Sequence, residues 1–226
     1  CFAMLMPSSP PAADALDAAS VRLGWGPQPV IPFEFDGTRA WAAVDVDLLE
    51  HGRRSAAGIA SALTSSLLEA LWNLPAHIEV RWDTLPARTA TVLGAAPPGV
   101  IADHGETVER RWRPVARVVG VLVPAGRRWR RALDQAGRLA APRVVVVAGR
   151  PTDRLVLEAN WFDIGVIAGP RDAPEVVVPP RPFRGVPCPY LWEFAESVYG
   201  AWVAASAVMP SSTMPRSVVT ASSPVP

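Results

Sequence analysis

The second half of the chain carries its apolar residues in unbroken blocks. "ARVVGVLVPAG" (residues 116–126), "RVVVVAG" (143–149) and "DIGVIAG" (163–169) are apolar at successive positions, so strands built from them need cover on both faces. Between them, "RRWRRALDQAGRLA" (127–140) and "TDRLVLEANWF" (152–162) read as helices. Thr152 is placed to cap the second of these, and Asp153 suits the positive charge of a first turn. The alternation predicts an α/β fold with a mixed, mostly parallel sheet flanked by helices. "EVVVPP" (175–180) adds a short strand. A terminal helix over 190–205 would gather Trp192, Ala195, Tyr199 and Trp202 on one side.

The first half is patterned less sharply. "RAWAAVDVDLLE" predicts a strand from Ala40 to Leu48, with Trp41, Val44 and Val46 apolar. "SAAGIASALTSSLLEALWNLP" (55–75) predicts one helix, because Ile59, Leu63, Leu67, Leu68 and Leu71 recur at spacings of three and four. "HIEVRW", "RTATVLG" and "GETVERRWRP" read as three further short strands. "PSSPPAAD" near the start and "MPSSTMPRSVVTASSPVP" at the end offer little to pack. The expected organisation is a disordered segment over 1–13, a single α/β domain over 14–205, and a disordered Ser/Pro-rich tail over 206–226.

Composition narrows the chemistry. Half of the 226 residues are apolar and 19% are charged, enough apolar material for a proper core. The net charge is +1, so any basic surface must be local. All 22 basic residues are arginine. Without lysine, P-loop, protein-kinase and Schiff-base mechanisms are excluded. Cys1 and Cys188 are the two cysteines, too few for a disulfide framework or a cysteine-rich zinc site. Cys188, between prolines, reads as a loop residue, and Cys1 as the start of a fragment, with a processed N-terminal cysteine as the alternative. No apolar run reaches the ~20 residues of a membrane span. The expectation is a cytoplasmic protein that does not enter a membrane.

Two segments stand out for their arginines. In 127–131 the residues Arg127, Arg128, Arg130 and Arg131 surround Trp129, and Arg110, Arg111 and Arg113 surround Trp112. Helical spacing puts Trp129 with Ala132, Leu133, Ala136 and Ala140 on a core face and leaves the arginines outward. Cations at a helix N-terminus are mildly unfavourable unless an anion binds there; arginines spreading into water are the ordinary alternative. Were both segments on one side of the sheet, they would form a groove charged to suit a phosphate backbone. Among acids, Asp45 and Asp47 would share a strand face and, with His51, could hold a hard cation. His77 and Glu79, near Asp83, would share another strand face, and His104 reads as a turn residue. No G-x-S-x-G, G-x-G-x-x-G, H-E-x-x-H or Walker signature occurs.

"GVLV" followed by "RRWRRALDQA", "RVVVVA" and "NWFDIGVI" resembles the latter part of the PD-(D/E)XK nuclease-like fold, bacterial members of unknown substrate in particular. The matching positions are Ala132, Leu133, Gln135 and Ala136, then Val144 to Val147, then Gly165 to Ile167, within about Ala116 to Ala168. The resemblance implies a restriction-endonuclease-like scaffold. It also implies a Mg²⁺ site built on an Asp and an E-x-K strand, but the corresponding strand, Val118 to Pro124, has neither acid nor lysine. The expectation is therefore a catalytically degenerate module that binds DNA or a protein partner, with Arg127, Arg128, Arg130, Arg131, Arg110 and Arg111 as anion contacts and no cofactor. One alternative is an active Mg²⁺-dependent nuclease drawing its carboxylates from Asp45, Asp47 and Glu79, beside Gln135. Another is an assembly protein that uses its tryptophans at an interface.

Overall fold

Three apolar strands form the centre of the molecule, as their patterning requires. The computed structural model describes residues 13–59, 64–126, 128–170 and 173–208. In chain order the elements are α1 (Ala13–Arg22), β1 (Val30–Phe35), β2 (Thr38–Val46), α2 (Leu48–Ala56), α3 (Ser65–Trp72) and β3 (Glu79–Arg81). After a one-turn 3-10 helix come α4 (Ala87–Gly94), β4 (Ile101–Asp103), β5 (Thr107–Arg110), β6 (Ala116–Ala125) and α5 (Trp129–Gly137). The chain then forms β7 (Arg143–Ala148), α6 (Asp153–Trp161), β8 (Gly165–Gly169), β9 (Glu175–Val178) and α7 (Pro189–Val208). No helix of the described residues is long and apolar enough to cross a membrane.

The main sheet runs β1-β2-β6-β7-β8-β9. Its inner strands β6, β7 and β8 are parallel and joined through α5 and α6, while β1-β2, β2-β6 and β8-β9 are antiparallel. The fold is thus α/β with a mixed sheet flanked by helices. One face packs Phe33, Ala42, Val121, Val123, Val145 and Val166 under α5, α6 and α7, and this is the larger core. The opposite face packs Ala43, Leu122, Val144 and Ile167 against Leu16 and Ala19 of α1 and against Trp25. Between β2 and β6 the chain inserts a second layer: α3, α4 and the sheet β3-β5-β4 enclose Leu71, Leu93, Val108 and Trp112.

Several local expectations give way. The helix expected over 55–75 is not one helix: its first two residues end α2, and Ser65–Trp72 form α3. Gly58, at φ +66°, turns the chain after α2, and Ile59 N–H donates back to the Arg54 carbonyl (2.9 Å). Thr64 then opens α3 by accepting from Leu67 N–H (3.3 Å). "RTATVLG" is helix α4, not a strand. Its β-branched residues suggest extension, yet its half-buried and buried positions 89, 92, 93 and 96 follow the helical period after Pro86. α1, nearly all of α2, β4 and the β1-β2 hairpin were not anticipated. The hairpin closes on Asp36-Gly37, both at positive φ, with Phe35 paired to Thr38. Residues 206–208, expected in the tail, continue α7, and residue 13 begins α1. Residues 1–12 and 209–226 lie outside the described residues, as does Leu63 of the expected helix stripe.

Trp25 fixes how closely the helix-poor face is covered. Its indole lies on Gly120, beside a register shift in the β2-β6 pairing, and a Cβ there would sit 2.2–2.5 Å from three ring carbons. Gly120→Ala is therefore expected to lower stability by about 1–3 kcal/mol through overpacking. Urea denaturation checks this, and an unchanged midpoint would refute the close approach.

Candidate functional site

Two places gather charge, and they lie at opposite ends of β6. At its amino end α2 presents Glu50, Arg53 and Arg54 toward α7 and toward the segment joining β5 to β6. Arg54 is fully buried and Glu50 and Glu196 nearly so. The Arg54 guanidinium donates to Glu50 (3.1 Å), to both oxygens of Glu196 (2.8 and 3.0 Å) and to the Arg113 carbonyl (2.6 Å). It also lies over Trp112, 3.4 Å from the ring centroid. Arg53 forks onto the two oxygens of Glu50 (2.8 and 2.7 Å) and donates to the Gly99 carbonyl (2.8 Å). Arg113 reaches Asp47 (3.2 Å) and Glu50 (3.3 Å).

Three carboxylates and three guanidiniums therefore balance. Burial alone would raise the pKa of Glu50, but hydrogen bonds and charge from Arg53 and Arg54 overcome it and hold the group below its ordinary value. Burial does raise that of Glu196, against the pull of Arg54 and with the charge of Glu50 pushing the same way.

This arrangement accounts for the acids singled out in the sequence. β2 ends at Val46, so Asp47 does not share a strand face with Asp45. It caps α2 instead, accepting from Leu49 and Glu50 N–H at 3.0 Å each. Asp45 pairs with Arg117 (3.0 Å). His51 joins neither, since its Nδ1 meets the Tyr199 hydroxyl at 2.9 Å and its ring packs edge-on against Trp202. Glu79 lies in the other sheet, accepting from the Thr107 hydroxyl (2.8 Å), and Asp83 pairs with Arg81 (2.7 Å). His77 faces Glu109 (3.6 Å), not Glu79, and His104 approaches the same carboxylate (3.7 Å), which Arg111 also holds (2.8 Å). Gln135 sits half-buried on α5. Among the described residues no group of three or more His, Cys, Asp or Glu is placed to hold a metal ion.

The two basic segments also separate. Arg110 is half-buried and serves the insert: it donates to the Leu71 carbonyl (3.0 Å), lies 5.0 Å over the Trp192 ring, and has its pKa lowered by burial. Trp112 is buried beneath Arg54. The second segment lies beyond Ala125, at the far end of β6, about 30 Å away at ~3.3 Å per residue. The described arginines of the two segments thus lie toward opposite ends of β6.

That far end is the carboxyl edge of the parallel strands. Val147 of β7 pairs beside Ala125 of β6, so Arg128 and Arg150 follow adjacent strand ends. α5 begins at Trp129 with no side-chain cap and no acid in its first turn, whereas Thr152 caps α6 and Asp153 opens it. Trp129 is half-buried against the large core, with the Arg130 guanidinium 5.0 Å over its ring. Glu158 draws Arg154 (2.8 Å) and Arg130 (3.8 Å) together. Arg128, Arg131 and Arg150 are exposed and make no ion pair among the described residues. Arg150 also rims a recess of about 640 Å³ between the ends of β7 and β8. Arg127 lies outside the described residues.

Neither protein-family models, nor curated proteins, nor solved structures contain a match to this chain.

The buried junction makes the first end structural. Removing one partner of a buried pair strands the other charge, so Arg54→Met is expected to cost about 3–5 kcal/mol. Replacing both, as in Arg54→Met with Glu196→Leu, should recover at least about 1 kcal/mol of that loss, since Glu50 keeps Arg53 and Arg113. Urea titrations of the two variants decide it, and a double variant no better than the single would contradict the account. The pH dependence has two opposing parts. Stability from Glu50 is present above its ordinary 4.5 and fades as pH falls through its lowered folded value. Glu196 acts oppositely, losing stability as pH rises from 4.5 through its raised folded value.

Proposed function

We propose that this protein is a non-catalytic module that binds DNA through the carboxyl edge of β6, β7 and β8. Arg128, Arg131 and Arg150 make the phosphate contacts, Arg130 and Arg154 lie alongside, and Arg127 belongs to the same stretch of sequence. The single observation carrying this reading is that three exposed arginines without acid partners among the described residues follow two adjacent strand ends. Guanidinium forks suit phosphate oxygens, and the uncapped amides of α5 add donors on the same side. In open α/β sheets the carboxyl ends of the strands are also where ligands ordinarily bind. Arg110 and Arg111 are not part of this proposal, because the first packs in the insert and the second is taken by Glu109.

Cleavage is not proposed. The carboxylates that a nuclease would need are engaged with arginines, with backbone amides at a helix start, or with Thr107. A protein partner is the second reading, favoured by Leu157, Trp161 and Phe162, which α6 and its end leave 69%, 82% and 56% exposed.

Binding of a fluorescent duplex, followed by anisotropy across a salt series, tests the reading. Each phosphate contact contributes about 0.9 to the slope of log K against log salt, so Arg128→Ser/Arg131→Ser/Arg150→Ser should flatten it by about 2–3. Wild-type protein that ignores DNA, or a triple variant with an unchanged slope, would overturn the proposal. Salt-insensitive self-association lost in Trp161→Ser would favour the second reading.

A further inference from the structure

The amino ends of the parallel strands hold a separate feature that the edge-binding reading does not use. From the end of β9 to the first residue of α7 the chain runs as "PPRPFRGVPCP", with five prolines in residues 179–189. Proline fixes φ and stiffens such a segment before any ligand arrives. Pro180 is packed onto Gly165 at the start of β8, where a Cβ would come within 2.9–3.0 Å of the proline ring and nitrogen. Between this strap and the start of β7 lies a partly open recess of about 340 Å³ lined by Arg143, Arg181, Arg184, Asp163 and Phe183.

The charges in that cavity do not balance. Three guanidiniums face one carboxylate, and Asp163 is already paired with Arg181 (3.1 Å). Arg184 has no ion pair among the described residues. Arg143 is half-buried, and its one hydrogen bond among the described residues is a long one to the Gly137 carbonyl (3.3 Å). Burial lowers its pKa, and Asp163 offsets this only in part. A partly desolvated cation with so little compensation is costly unless an anion completes its shell. The surplus is two positive charges, which matches a dianion better than a monocarboxylate. Guanidinium forks also match the oxygens of a phosphate group. The space exceeds that needed by phosphate alone, and the Phe183 ring, 5.8 Å from the Arg143 guanidinium, provides an apolar wall for an attached group.

We propose that this cavity is a binding site for a small molecule carrying a phosphate monoester dianion next to an apolar or aromatic group. Arg143, Arg181 and Arg184 hold the phosphate, Asp163 orients Arg181, and Phe183 packs against the organic part. The proposal is independent of DNA binding, since β7 runs from Arg143 at this site to Ala148 before Arg150 at the other.

Phenyl phosphate is a suitable probe, titrated into the full chain by isothermal calorimetry at low salt. Saturable one-site binding is expected, competed by inorganic phosphate. Arg184→Gln and Arg181→Gln, both at exposed positions, should each weaken it by about tenfold, the size of one charge-assisted contact. Arg143→Gln should abolish it, with circular dichroism confirming that the variant folds. Arg128→Ser/Arg131→Ser should leave it unchanged. No saturable binding, equal affinity for benzoate, or affinity unchanged in both Arg184→Gln and Arg181→Gln would overturn the assignment. So would loss of binding in Arg128→Ser/Arg131→Ser.

Discussion

The buried guanidinium of Arg54 is the constraint on which the architecture turns. A charge taken wholly out of water must be matched, and here the matching groups come from three separate parts of the chain: Glu50 on its own helix, Glu196 on α7, and the Arg113 carbonyl in the run-up to β6. The face of the guanidinium is covered as well, by Trp112. One side chain thus ties the inserted layer to both the sheet and the last helix. α7 continues this role along its length, because Trp192 packs with the insert and Trp72, while Phe194, Val198 and Trp202 pack on the main sheet. Buried ion pairs contribute little net stability compared with apolar packing, but they penalise any arrangement that leaves one member alone. The junction therefore acts chiefly on how the layers are fitted together.

That assignment decides what the ends of β6 can do. Acids crowded at the amino end resemble a metal site in the sequence, yet their oxygens are occupied by arginines and by the amides at the start of α2. The same strand then carries the chain to the opposite edge, where Glu158 holds Arg130 and Arg154 while Arg128, Arg131 and Arg150 make no ion pair among the described residues. Arginines matched by acids at one end, and three arginines with no ion pair among the described residues at the other, spread a net charge of +1 unevenly over the protein. The proline-rich strap adds a third charged place, a recess lined by Arg143, Arg181 and Arg184.

The strand-helix-strand-helix-strand half of the fold was legible because burial on both faces leaves an unmistakable apolar run, as in Val144 to Val147, and because Thr152 marks a helix start. Trp129 falling on the core side of α5 was legible from spacing. The β1-β2 hairpin was readable in principle, since Asp36-Gly37 sits between alternating residues. Gly58 and Thr64 likewise carried the signals that divide α2 from α3. The Arg54 junction was not legible. Glu50, Arg53 and Arg54 look like an exposed helical charge pattern, and nothing local indicates a partner at Glu196, far along the chain. Asp47 misled for a related reason: a helix-capping aspartate and a strand aspartate two residues after Asp45 read alike until the strand end is known. For the basic segments, the distance between them depended on the direction and length of β6, which residue type alone does not reveal.

If Arg54 does join the layers, the insert cannot open without disrupting the main sheet. Native-state hydrogen exchange measures this directly by comparing amides of Leu71 in α3 and Val108 in β5 with those of Val121 and Leu122 in β6. The account expects all of them to exchange through one opening of the same free energy, falling together with added denaturant. Insert amides that exchange through a separate and much easier opening, while β6 stays protected, would contradict it.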